Sequence, residues 1–535
     1  MEGKPHSTTK PPKIRLQTDL PPLMPTPSQQ GVLDGVQEWD EVDTEMQNGG
    51  LLLQRDEWSP SWKPIASVYN APRHILSFIG SGFRFSGGSR TMAKMRPTAY
   101  LDGLRGFACL IVYFHHHQLF AHWKKGQAEL FERGFGYGGN YHAIAFPFIR
   151  NFFSGGHFAV SIFFVMSGYV LSLKLLHLIQ AGDHIQLGDH VASSLFRRWL
   201  RLFIPLFVTL AIYATLLHSF GGITPGDKLL VKQGSWRDEM WNLYCKFKNF
   251  SYIFGDGGEP FFTYNSHLWS IPVEFKGSIL VYTSLMAFSR CTRNARLWGY
   301  VALFVYFMYI CDGSYYTFFC AGMLLCDLDL LAEKDELPDW MVRLTPYRKW
   351  IFYHLFIASL YLGGVPSFNA EIGDLRESRG WYLLSLLKPQ AVFDPKWFYL
   401  FWASLFFVSS IPHLPWLKRF FETSFCQYLG RISFSLYLVH GPILAVVGER
   451  LYMLTGWVGD EPEDIMWWAD RFPLPGGPLG FELSFLAPHL ILLPLTLFVA
   501  DLVTRGIDTP SVRFAAWLYK QTLGDGSNGG NKTKA

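Results

Sequence analysis

Apolar residues in this chain gather into long unbroken runs. From Leu101 onward, runs near the bilayer-spanning length of about 20 residues recur. They fall at roughly 100–121, 157–179, 198–218, 267–288, 297–312, 314–331, 351–365, 397–413, 426–448 and 483–504. The pattern predicts an all-α fold: a polytopic transmembrane helical bundle of about ten spans. The fifth and sixth runs are short enough to form one bent unit. Ahead of them, residues 1–95 are rich in Pro, Ser and Gly, as in PPLMPTPSQQ and SGFRFSGGSR. Such composition buries too little apolar surface to offset chain entropy, so a disordered N-terminal region is expected. Residues 1–50 hold no continuous apolar stretch of signal-peptide type, so the first span is expected to act as its own signal, as suits an endomembrane protein. The chain divides into an N-terminal region (1–95), a transmembrane domain (96–510) and a C-terminal tail (511–535).

The polar residues between the runs set an orientation. Alternate connections carry Arg197, Arg198 and Arg201; Arg290, Arg293 and Arg296; Arg343, Arg348 and Lys349; and Lys418 and Arg419. The connection before the last run carries Glu449, Asp460, Glu461, Glu463, Asp464 and Asp470. Lys and Arg mark cytosolic loops, so both termini are expected in the cytosol. Asn249-Phe250-Ser251 is a glycosylation sequon, and this topology puts it on the lumenal side.

Composition agrees. Of 535 residues, 49% are hydrophobic and only 17% charged, below the quarter usual in soluble domains. The net charge of +4 gives no argument for nucleic acid. Seven scattered cysteines without CxxC spacing make neither a disulfide framework nor a zinc site, and no metal is expected.

Ionisable groups within the runs are costly and point to function. The first run, YLDGLRGFACLIVYFHHHQ, holds Arg105 near one end and His115, His116 and His117 deeper. On a helix, eleven residues return to within about 20° of the starting face and climb about 16 Å, so Arg105 and His116 share a face. His115 and His117 are rotated away by about 80° and 120°. An imidazole with an ordinary pKa near 6.5 suits removal of a hydroxyl proton. RRWLRLFIP gathers Arg197, Arg198 and Arg201, whose guanidinium forks match phosphate oxygens and would equally serve as anchors at the membrane surface. SHLWSIPVEFKGS places Glu274 and Lys276 in an apolar run, where Glu274 needs a partner: Lys276, a histidine or an arginine. His440, before Pro442, stands alone and reads as structural.

Five segments in this order resemble the acyltransferase-3 family of integral membrane acyltransferases. LDGLRGFACLIVYFHH is similar to that family's first-helix signature, and FAVSIFFVMSGYVLS to its FFVLSGF helix. RRWLRLFIP, LWSIPVEF and ISFSLYLVHGP are similar to its arginine-rich, WSLSVEEQF and SYSLYLVH-P segments. The resemblance covers roughly residues 97–510. It implies acyl transfer, often of acetyl from acetyl-CoA, to a hydroxyl of a sugar, lipid or small molecule. Acyl-CoA would be a co-substrate, with no bound cofactor. It also implies an essential His116, with His115 as the neighbouring alternative, and an Arg105 that helps to hold the donor. Arg197, Arg198 and Arg201 would hold its phosphates, and Glu274 or Asp102 would orient a cation or the imidazole. One departure stands out: the family's paired acidic VEE is VEF here, which leaves Glu274 alone. The aromatic-rich, Pro-rich style resembles fungal members, some of which acylate secondary metabolites.

Two other classes fit less well. A di-iron desaturase needs several histidine boxes, and beyond His115, His116, His117 and His122 the histidines fall singly. A transporter would be expected to repeat its functional helix, and the Arg–His helix has no second copy.

Overall fold

The computed structural model describes residues 96–220, 232–254, 262–368, 371–459 and 467–523. Residues 1–95, expected to be disordered, lie outside the described residues, as do Asp460 to Asp464. Among the described residues there is helix and connecting coil but no strand. The long helices are α1 (Ala99–Trp123), α2 (Gly156–Ala181), α3 (His184–Phe220), α4 (Trp236–Phe250), α5 (Ser270–Phe288), α6 (Arg293–Val305) and α7 (Ser314–Glu333). They continue with α8 (Arg348–Gly363), α9 (Pro395–Ser410), α10 (Ser424–Ile443), α11 (His489–Val503) and α12 (Thr509–Thr522). Wide π-type turns extend α6 over Tyr306–Ile310, carry α10 through Leu444–Gly448 into Glu449–Leu454, and join α11 to α12 over Thr504–Asp508.

Each of the ten apolar runs falls on a helix. The fifth and sixth are separate helices, because Cys311, Asp312 and Gly313 break the backbone between them. By length and apolarity alone, five described helices can cross a bilayer: Gly156–Ala181, His184–Phe220, Ser314–Glu333, Ser424–Leu454 and Leu483–Thr522. A sixth is reached if Pro395–His413 and Pro415–Phe421, bent by 99°, count together. The remaining runs fall short for visible reasons. Three histidines dilute α1, Glu274 and Lys276 interrupt α5, and α6 and α8 have only 13 and 16 residues. Residues 511–522, expected within the tail, belong to the helix Thr509–Thr522, which packs against α3.

The bundle is built around α2, which packs against α1, α3, α5, α7 and α9. Between apolar helices in lipid, close backbone approach supplies the van der Waals contact that association needs, and small residues permit it. At the α2–α7 crossing, a Cβ on Gly168 would lie 2.3 Å from the Phe319 carbonyl oxygen, and one on Gly322 would lie 2.2 Å from that of Val165. The α1–α10 crossing repeats the device. A Cβ on Gly106 would meet the Gly430 nitrogen at 2.2 Å, and one on Gly430 the Asp102 carbonyl oxygen at 2.3 Å. These contacts fix α1 and α10 side by side, and both carry site residues. Polar pairs add specificity. Asp327 of α7, 0% exposed, accepts two bonds from Arg296 of α6 at 2.5 and 2.8 Å, and a third from Gln180 of α2 at 3.0 Å.

Candidate active site

Three consecutive histidines on α1 enter three different surroundings, as steps of about 100° per residue require. His115 turns toward the start of α2, its ring centroid 5.4 Å from that of His157. Gly156 makes room, since a Cβ there would lie 2.4 Å from the His115 ring. His117 turns toward α11. Its Nδ1 lies 2.8 Å from the Tyr452 hydroxyl, which is 3.4 Å from His489 Nε2, while Tyr113 reaches His489 Nδ1 at 3.0 Å. These buried rings and hydroxyls form a linked network, in which His117 Nε2 alone of the His117 and His489 nitrogens has no hydrogen-bond partner.

His116 has the third surrounding. Its ring centroid lies 3.9 Å from that of His267, in the turn before α5, and 5.3 Å from that of His440 on α10. The rings of His267 and His440 are 5.2 Å apart, so three helical elements bring three imidazoles together. Their tautomers follow from their partners. Asn265 Oδ1 accepts from the backbone N–H of His267 at 3.2 Å, and lies 3.1 Å from His267 Nδ1, which must therefore donate to it. His440 Nδ1 lies 2.8 Å from the Tyr437 carbonyl oxygen and also donates. A neutral ring that donates from Nδ1 keeps its lone pair on Nε2, and His440 Nε2 is buried with no hydrogen-bond partner. His116 and His267 remain partly accessible, whereas His440 is 1% exposed. The cluster thus has an open side where a substrate can reach the first two rings.

The surroundings hold this geometry. The Tyr437 hydroxyl bonds the His267 carbonyl, and Ser270 Oγ lies 2.7 Å from that hydroxyl, tying the Ser266–Trp269 turn to α10. Gly441 allows the approach: a Cβ there would lie 2.6 Å from Asn265 Oδ1 and 2.7 Å from His267 Nδ1.

The arginines gather at the end where α1 begins, but they do different work. Arg198 donates to Glu274 at 2.5 Å and to Ser278 Oγ at 2.8 Å. Ser167 also donates to Glu274, at 2.5 Å. Glu274 has found its partner in Arg198, and no hydrogen bond or ion pair links it to a histidine among the described residues. Arg197 Nε donates to the Ser193 carbonyl one turn back on its own helix, at 3.2 Å. Arg105 bonds Asp102 at 3.1 Å and the Gly430 carbonyl at 3.3 Å, and 40% of its side chain stays exposed. Arg105 and Arg201 both act on Asp508, so these two share one locality. Arg505 and Arg431 lie at 2.7 and 3.5 Å from Asp501.

The arrangement can therefore receive an anion at one end and handle a proton deeper in the bundle. Reading along the sequence did not identify His267, Asn265, Arg431 or Arg505, and it set His440 aside as structural. A signal for two of them was present: Asn265 and His267 stand two apart beside a span carrying Glu274 and Lys276.

Comparison with known proteins bears on the chemistry. A family model described as an acyltransferase domain matches residues 98–505. The chain is 30% identical over 476 residues to an O-acetyltransferase of Phomopsis amygdali, covering 82% of this chain and 88% of that one. It is 23% identical over 472 residues to an acyltransferase of Cochliobolus lunatus, covering 79% and 96%. It is 22% identical over 417 residues to an acyltransferase of a Phoma strain, covering 71% and 84%. No solved structure matches the chain.

Proposed function

The chain belongs to the acyltransferase-3 family of membrane acyltransferases, and from that premise we propose that it is an O-acyltransferase that moves an acetyl group from acetyl-CoA to a hydroxyl. The name of its O-acetyltransferase relative favours acetyl and an oxygen acceptor. The observation that carries the reading is the cluster of His116, His267 and His440, with protons assigned to two rings and an open side at the third.

In this mechanism the acyl-CoA phosphates rest at Arg105 and Arg201, with Arg197 adding to the field. The thioester arm then spans about 16 Å of helix to His116. His116 accepts the proton of the acceptor hydroxyl as its oxygen attacks the thioester carbonyl. The carbon–sulfur bond breaks, and the thiolate leaving as CoA takes up that proton. His267 and His440, lone pairs inward, hold the His116 ring in place and share its positive charge while it is protonated. His115, turned toward His157, is not the base. Glu274 holds Arg198 and so positions α2, α3 and α5 instead of orienting the imidazole. The acceptor is a small molecule, lipid or sugar, with a secondary metabolite the favoured class.

The same reading takes ten crossing helices, counting α1, α5, α6, α8 and α9 with the five apolar ones. It places both termini in the cytosol of an endomembrane such as the endoplasmic reticulum, with acyl-CoA entering at the arginine end.

The test uses full-length protein in detergent with acetyl-labelled acetyl-CoA and an extract of the producing cells, wild type beside His116→Ala. Label should appear on a hydroxyl-bearing product and vanish in the variant. No turnover by folded wild-type protein with any acyl-CoA would overturn the proposal and make the arginines and histidines parts of a transport path.

A further inference from the structure

His115 is the member of the triplet that neither the proton-handling cluster nor the His117 network uses. It meets two groups from other elements: His157 in the first turn of α2 and Glu132 in the short helix Glu129–Glu132. One ligand-type atom from each residue can be chosen so that all three lie within 4.8 Å of one another. They converge, yet no hydrogen bond or ion pair joins any two of them among the described residues. His115 Nδ1 and His157 Nδ1 are both buried with no hydrogen-bond partner. A buried polar nitrogen left unpaired costs about 1–3 kcal/mol, so two such atoms on rings that converge with a carboxylate call for a missing partner.

The neighbouring cations do not fill that place. Lys396 lies 2.6 Å from Asp394. Arg150 turns its guanidinium to the carbonyl oxygens of Phe131, Glu132 and Arg133, at 3.2, 3.1 and 3.3 Å. The Glu132 carboxylate is part-buried, and the one side-chain hydrogen bond it takes among the described residues is from Ser367. A carboxylate held in such a place gains from a directly bound positive charge.

We propose that His115, His157 and Glu132 bind a divalent transition-metal ion, with zinc the best match to two imidazoles and one carboxylate. Zinc takes imidazole nitrogen at about 2.0–2.1 Å and carboxylate oxygen at about 2.0–2.2 Å, which puts tetrahedral ligand atoms about 3.4 Å apart. From separations of up to 4.8 Å, the three groups reach that spacing by closing in by up to about 1.4 Å. Three protein ligands leave a fourth position for water or substrate. The ion would clip α1 to the connection that follows it and to the start of α2. It would do so beside His116, whose ring centroid is 5.1 Å from that of His115. The proposal departs from the expectation of no metal drawn from the sequence. The three ligands stand at positions 115, 132 and 157, a spacing that no compact zinc motif shares.

The test measures metal, not turnover, and so stands apart from the acetyl-transfer reading. Full-length protein in detergent is stripped with a chelator, titrated with Zn2+ against a chromophoric competitor, and its bound zinc measured by mass spectrometry. Wild type and His116→Ala should each hold about one zinc per chain. His157→Ala and the near-isosteric Glu132→Gln should bind at least about tenfold more weakly. Size-exclusion profiles show which variants are folded, and either folded ligand variant decides the matter. If stripped wild type takes up no zinc, or all four proteins hold the same amount (an adventitious ion only), the proposal fails.

Discussion

His116 differs from its two neighbours in sequence by what it lacks. His115 packs beneath the start of α2 and His117 has a hydroxyl, but His116 faces the rings of His267 and His440 and has no hydrogen-bond partner among the described residues. A ring so placed can exchange a proton with a bound hydroxyl, and general-base catalysis is commonly worth about 10²–10⁴-fold. His116→Ala should therefore lower kcat by about 10²–10⁴-fold while the folded yield in membranes stays level, a comparison of turnover against immunoblot. Gly441→Ala tests the supporting geometry. Its methyl would displace Asn265 or His267, and we expect kcat to fall about tenfold with KM for acyl-CoA unchanged, since the base is misplaced by a fraction of an ångström. The arginines should behave in the opposite way. Arg105→Ala should raise KM for acyl-CoA with a smaller effect on kcat, because phosphate binding is shared by ground and transition states.

At the scale of helices, the largely but not fully buried bridge between Arg198 and Glu274 joins α3 to α5, with the side chains 12% and 19% exposed. Removing one partner strands a desolvated charge and costs about 3–5 kcal/mol. Arg198→Ala should then lower the thermal midpoint in detergent by several degrees, and the paired apolar replacement Arg198→Met with Glu274→Leu should recover most of it. The helices themselves were legible in the chain, because spanning length and apolar content are local properties. The rotation of His115 and His117 away from the Arg105 face was legible too, since it needs only 3.6 residues per turn. Partners were not. Nothing near Glu274 in the sequence says that Arg198 will take it before Lys276 or a histidine does. Nothing near His116 announces His440, 324 positions on, because that contact depends on Gly106 and Gly430 letting α1 and α10 touch. Gly106 was read in the sequence only as part of a family signature, not as a packing surface, and Gly430 was not singled out.

At the scale of the molecule, the topology has its own test. Asn249 is exposed at the end of α4, within the sequon that the proposed orientation turns to the lumen. Protein made in a eukaryotic host should show a glycosidase-sensitive mobility shift that Asn249→Gln abolishes. A glycan at a sequon engineered beside Arg343 would invert the assignment. The Arg296–Asp327 pair bears on how such a bundle comes into being. A helix that enters the bilayer carrying an aspartate in its apolar stretch, as α7 does at Asp327, is penalised by up to about 2.5–3.5 kcal/mol. Yet α6 and α7 are consecutive, joined by Cys311, Asp312 and Gly313, and their charges neutralise each other. In the proposed ten-span topology the two helices are thus better delivered to the lipid as one hairpin than one after the other. An α7 that reached the lipid without α6 beside it would expose an orphan carboxylate to the cell's quality-control machinery.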